Sequence, residues 1–358
     1  MNERPAIPAL TSLRFFFALA VYFHHCYFMT RSESQAVGDF YQLFFYEGYV
    51  GVSFFFVLSG FILAYNYQDR FVRGEQSRRA FWWARFARVY PLHLLLLLVM
   101  IPVDIAEEFA DGVGQGVLKV VSQLTLTQSW FLDPGVATAF NAPAWSISDE
   151  AFFYALFPAL ALGAARVWRR YGQRALWGLL PLGLLPLAMA LSPTTWYDPV
   201  YYFFPPIRLA EFVLGIALFN VLRDRPVPSV RRSNYEETGA VALLFLFWLL
   251  HREFGTVYRY SVYYWLPMVA LIAAFARGRG RLAGWLAHPW WILLGEISFA
   301  FYLVHRPLMR YYGKVRDKFF AYDFPAVDVV VYLVLSLIAS YFLYRFFERP
   351  VNRWLRTK

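Results

Sequence analysis

Long apolar stretches separated by short polar ones run the length of this chain. A bilayer crossing takes about 20 mostly apolar residues. Ten stretches approach that length, near 7–29, 47–67, 84–103, 147–167, 175–191, 203–222, 237–251, 260–276, 289–309 and 327–347. The pattern predicts an all-α integral membrane protein of about ten transmembrane helices. It reads as a single multi-pass domain over 1–358, with no fused soluble domain.

The connections alternate in charge. Arg70, Arg73, Arg78, Arg79, Arg85 and Arg88 flank the turn between the second and third stretches. Arg166, Arg169, Arg170 and Arg174 follow the fourth, and Arg223, Arg225, Arg231 and Arg232 the sixth. Arg277, Arg279 and Arg281 follow the eighth, while Arg349, Arg353, Arg356 and Lys358 close the chain. Cytoplasmic connections collect Lys and Arg, so both termini are predicted to be cytoplasmic. The opposite connections are acidic or neutral, and Asp104, Glu107, Glu108 and Asp111 open the longest of them. Arg310, Lys314, Arg316 and Lys318 break this rule, falling on the predicted outer side. The connection over 104–146 is too long for a bare hairpin. Its Gly, Thr, Gln and Pro content predicts ordered surface structure, either re-entrant or interfacial.

Composition narrows the class. Of 358 residues, 59% are hydrophobic and 16% charged, where a soluble domain carries roughly 25% charged residues. The net charge of +10 raises the question of nucleic acid. Its clustering in short connections between apolar stretches answers it: the charge belongs to membrane topology, and no nucleic-acid partner is expected. The one cysteine, Cys26, excludes an intrachain disulfide. The first stretch has polar residues inside it and no small-residue cleavage site, so it reads as an uncleaved helix.

Polar residues inside such helices are costly and mark functional candidates. Arg14 and His25 are 11 residues apart in the first stretch. At about 100° per residue they return to one stripe, about 16 Å apart along the axis. Arg14 either faces a protein interior or snorkels to the inner headgroups. Topology places His25, Glu150 and His305 at a similar outer depth. Ser298, Tyr302 and His305 share one helix face, and Ser146 precedes Glu150 by one turn. A histidine oriented by a carboxylate is the usual makings of a general base. On the inner side, Arg85 and Arg88 stand one turn apart as a fork for phosphate or carboxylate.

Blander readings fit the remaining polar groups. His24 is turned by about 100° from His25, towards a neighbouring helix or the interface. His93 reads as packing, Arg208 and Glu211 as a buried structural pair, and Glu348 as a partner for Arg345. Glu296 is half a turn out of phase with His305 and belongs elsewhere. Ser53, Ser59 and Gly60 allow close helix packing. The histidines show no metal-ligand spacing, so no metal site is expected.

Several segments, in order, resemble the membrane-bound acyltransferase 3 family. They are LTSLRFFFALAVYFHH with Arg14 and His25, VSFFFVLSGFIL over 52–63, and RFARVYPLH over 85–93. WSISDEAFFYALFP over 145–158, GEISFAFYLVHRPL over 295–308 and FERP over 347–350 follow. Phe15, Phe16 and Phe17 depart from the small or aliphatic residues usual after the arginine. The resemblance implies transfer of an acyl group, usually acetyl, from acyl-CoA to a hydroxyl of a sugar or glycan beyond the cytoplasmic face. It also implies a bacterial inner (plasma) membrane location and the cell envelope as the setting. Acyl-CoA is then the donor substrate, with no permanently bound cofactor. Its phosphates would lie at Arg85 and Arg88, and its arm would pass Arg14. His25 acts as general base with Glu150 orienting or charge-balancing it, or attacks first to form an acyl-histidine. A different class also fits the polar helices, a transporter or flippase of a sugar or lipid-linked sugar.

Overall fold

The structure is a computed structural model that describes residues 4–319 and 324–356. Among these residues there is no strand, and the fold is all-α. In chain order the main helices are α1 (Pro8–His24), α2 (Gly51–Leu63), α3 (Arg78–Glu108), α4 (Val113–Thr125), α5 (Trp145–Tyr171) and α6 (Leu185–Leu191). They continue with α7 (Pro205–Arg223), α8 (Val230–Leu249), α9 (Val262–Ala276), α10 (Pro289–Phe319) and α11 (Pro325–Leu343). Each of the ten apolar stretches lies mainly in helix.

Six helical segments are long and apolar enough to cross a membrane by length and composition: Gln35–Val72, Arg78–Glu108, Ala142–Leu191, Pro205–Arg223, Pro289–Arg316 and Pro325–Arg356. The stretches at 147–167 and 175–191 merge into one of these. Helices α1 and α9 are shorter, with 17 and 15 residues. Helix α8 opens on Arg231, Arg232, Glu236 and Glu237. Lys358, part of the basic C-terminal cluster, lies outside the described residues.

The chain forms two compact units, whose described residues fall in Met1–Arg14, Val52–Trp82 and Asp149–Leu293 for the first, and in Phe15–Gly51, Trp83–Ser148 and Leu294–Lys358 for the second. In the first unit α2 and α7 cross backbone to backbone. A Cβ at Gly60 would lie 2.0 Å from the Phe212 carbonyl oxygen, and one at Gly215 2.0 Å from that of Val57. Apolar side chains gain little by leaving lipid for protein, so close packing is what holds such a crossing. Phe153 stacks on Phe212 at 5.1 Å beside it, and Phe157 stacks on Phe81 at the same distance. Arg208 and Glu211 are the buried pair the sequence suggested, 3.0 Å apart and both fully buried.

In the second unit the turn over Tyr46–Val50 lies directly on α1. A Cβ at Gly48 would stand 1.9 Å from the Ala20 carbonyl oxygen, and one at Gly51 2.5 Å from that of Phe17. The long connection is ordered. Helix α4 turns Val113, Val117, Val121 and Leu124 outwards and buries Lys119, Ser122 and Gln123. Buried side chains then staple the following loop: Gln123 donates to Ala139 O, Gln128 to Ala144 O, Ser129 to Trp145 O and Asn141 to Leu303 O, at 2.8–3.0 Å. These bonds tie the loop to itself and to α5 and α10 through buried backbone carbonyls.

The basic stretch that broke the charge rule is the end of α10. Arg310 pairs with Asp104, at 2.9 Å, and with Glu107. Lys314 donates to Val103 O at 2.9 Å, and Arg316 pairs with Asp328. Acidic residues of the same unit thus pair with Arg310, Lys314 and Arg316.

Candidate active site

Helix α1 carries His25 just past its last residue. The backbone still follows the helix, with His25 N–H donating to Val21 O at 3.2 Å and to Tyr22 O at 3.1 Å. The imidazole folds back on its own helix, placing Nδ1 2.9 Å from Val21 O. The same Nδ1 lies 3.1 Å from Nε2 of His305, which is fully buried on α10. His305 in turn sets its Nδ1 3.1 Å from Phe301 O.

These contacts fix the protons. A carbonyl only accepts, so Nδ1 of His305 carries hydrogen and its Nε2 carries the lone pair when the ring is neutral. Nδ1 of His25 faces one carbonyl and one lone pair, so it too is the donor. Nε2 of His25 is left with a lone pair that neither of these contacts uses. Tyr22 and Phe301 pack around His305, with ring centroids 5.9 and 6.1 Å away.

Tyr302 stands one turn before His305 on α10. Its hydroxyl lies 2.8 Å from Ser146 Oγ, and each of the two oxygens lies 3.0 Å from Pro143 O, so one hydroxyl donates to the other and the second donates to the carbonyl. Ser298 is buried but spends its hydroxyl on Gly295 O of its own helix at 2.7 Å. The shared face read from the sequence thus separates. His305 and Tyr302 make long-range contacts, whereas Ser298 serves its helix.

His24 packs edge-on against His25, with ring centroids 5.3 Å apart, but its polar edge turns elsewhere. Nδ1 contacts Tyr46 O at 2.7 Å, and the ring packs against Tyr46 and Tyr49. Tyr49 donates to both oxygens of Glu47 at 3.3 Å, and Glu47 is 2% exposed. Sequence reasoning passed over Glu47. Its signal was an acid in an otherwise aromatic and glycine-rich run, YEGYVG.

Arg85 and Arg88 are half-buried on α3, one turn apart. Arg88 Nη1 pairs with the buried Glu348, and its guanidinium lies 5.3 Å from the Phe299 ring centroid. Glu348 therefore serves Arg88, 260 residues away, and not the expected Arg345. In the connection before α3, Arg73 is spent on Glu75 at 2.6 and 2.9 Å. Those bonds hold the Glu75 carboxyl below the usual carboxylate range.

Two candidates belong to the first unit. Arg14 is half-buried in the middle of α1. Glu150, at the start of α5, accepts from Tyr154 at 2.7 Å. Among the described residues, no three His, Cys, Asp or Glu side chains gather as a metal-ligand set.

Apolar helices around a buried histidine pair mark a helical membrane protein with ionisable side chains in its interior. The chain belongs to the acyltransferase 3 family, whose acyltransferase-domain model matches residues 7–345. It is similar to the acyltransferase MdmB of Streptomyces mycarofaciens, 31% identical over 98% of this chain and 92% of that protein. It is also similar to the O-acetyltransferase OatA of Staphylococcus aureus, 21% identical over 97% of this chain. There the chain spans only 57% of the relative's length. No solved structure matches the chain.

Proposed function

We propose that this acyltransferase moves an acyl group, acetyl in the simplest case, from acyl-CoA to a hydroxyl of a sugar or glycan, with His25 as general base. The single observation that carries the reading is the doubly held Nδ1 of His25, which leaves the ring's lone pair on Nε2. In the reaction Nε2 takes the proton of the acceptor hydroxyl while its oxygen attacks the thioester carbonyl. The carbon–sulfur bond then breaks, and the CoA thiolate receives the proton from the imidazolium.

Arg85 and Arg88 would receive the CoA phosphates. Two guanidiniums one helical turn apart match the spacing of phosphate oxygens. Ser146 and Tyr302 support the acceptor side. The setting is a single multi-pass domain in the inner membrane with about ten crossings and cytoplasmic termini.

His25→Gln tests this. Purified and reconstituted in lipid nanodiscs, the variant should release CoA from acetyl-CoA about 10²–10⁴-fold more slowly in the presence of a glycan acceptor. The unaltered protein should gain rate with rising pH through one ionisation, because only neutral imidazole is a base. A folded His25→Gln protein that still acylates at the full rate overturns the assignment.

A further inference from the structure

The cations of α10 fall into two groups. Arg310 and Arg316 are each held by carboxylates, and Lys314 lies at the edge of the Asp104 pair. Arg306, one turn before Arg310 and next in sequence to His305, is different. Its contacts among the described residues are with Tyr27: Nη2 lies 3.4 Å from the phenol oxygen, and the guanidinium carbon 5.3 Å from the ring centroid. Arg31 meets the same ring at 5.9 Å. Among the described residues, neither arginine has a carboxylate within ion-pair distance.

Two guanidiniums on one aromatic ring repel each other. The ring's negative face offsets part of that cost, and a bound anion would offset more. The placement ties this pair to the histidines. Tyr27 follows His25 by two residues, Arg306 follows His305 by one, and the two imidazoles are 3.1 Å apart. Tyr27 is 42% exposed and Arg31 is exposed, so a ligand can reach them.

We propose that Arg306 and Arg31, with the Tyr27 ring they share, form an anion subsite beside His25. It holds a carboxylate or phosphate carried by the acceptor near the hydroxyl that is acylated. The word acceptor rests on the acyl-transfer reading, but the anion binding does not. A lipid headgroup phosphate offers the same chemistry, so the test must separate the two sources.

The test uses the full chain in phosphatidylcholine nanodiscs, with methyl glucuronide and methyl glucoside as probes that differ in one carboxylate. Binding is read by thermal shift at neutral pH and low salt. The expected result is about tenfold tighter binding of the glucuronide, a preference that fades with added salt. Arg306→Gln and Arg31→Gln should each remove most of it, and Arg306→Lys should keep part, which also controls for folding. Equal binding of the two probes by the unaltered protein overturns the proposal, as does a preference that survives in the double glutamine variant. If phosphatidylglycerol in the disc abolishes the glucuronide preference, the anion is a lipid headgroup and the acceptor assignment falls. No arm needs turnover. A failed acyl transfer would leave the binding result standing, and a failed binding result would leave the acyl-transfer reading untouched.

Discussion

Two buried polar clusters, one in each unit, look alike in sequence and differ in kind. Arg208 and Glu211 form a charged pair 3.0 Å apart, closed off by Ser53, the Tyr260 carbonyl and the rings of Phe56 and Tyr202. Opposite charges meet there, and both residues are fully buried, so neither presents a surface to solvent. His25 and His305 are instead joined by neutral hydrogen bonds that run in one direction, from carbonyl to ring to ring. Such a chain has an end, and the end is a lone pair on a half-buried histidine. An ionisable residue inside a membrane protein marks a site only when its chemistry is left unfinished by its neighbours.

That contrast can be broken at either cluster. The largest expected effect is on stability. Arg208→Met leaves Glu211 buried without its partner and should cost about 3–5 kcal/mol of unfolding free energy, read by denaturant titration in detergent. Adding Glu211→Leu should restore most of that loss, because a matched apolar pair carries no buried charge. A single variant as stable as the parent would mean the cluster is not closed.

At the histidine pair the expected loss is in rate. His305→Leu removes one of the two acceptors at Nδ1 of His25, leaving Val21 O, and should lower turnover about 10²-fold. His305→Gln keeps a side-chain oxygen able to accept and should recover much of that rate. Equal losses in both variants would reduce His305 to packing. The smallest effect belongs to Tyr302→Phe, which removes one hydroxyl from the Ser146–Pro143 triangle. It should cost about 1 kcal/mol of stability, measured as a lowered melting temperature, with little change in pH profile.

The helices were legible because apolar stretches of membrane length have few other structures open to them. His25, Tyr302 and His305, which meet other elements in the structure, stand out in the sequence for a related reason: they are polar groups on an apolar background. Pairings across sequence distance were not legible. Asp104 gives no sign that it meets Arg310, nor Glu348 that it meets Arg88 and not its neighbour Arg345, because helical spacing reports only contacts within one helix. The basic stretch after 309 departed from the expected charge pattern, and the counter-charge of Arg310, Asp104, lies 206 residues away in sequence. The loop staples at Gln128 and Asn141 were equally hidden, since a buried amide is distinguished from an exposed one only by what lies against it.

The proton arrangement at His25 also dictates what could block it. An inhibitor head group facing Nε2 must bring its own hydrogen, as an alcohol or a sulfonamide N–H does. A ketone or ester oxygen in the same place would set lone pair against lone pair, and no added bulk elsewhere on the molecule would mend that mismatch.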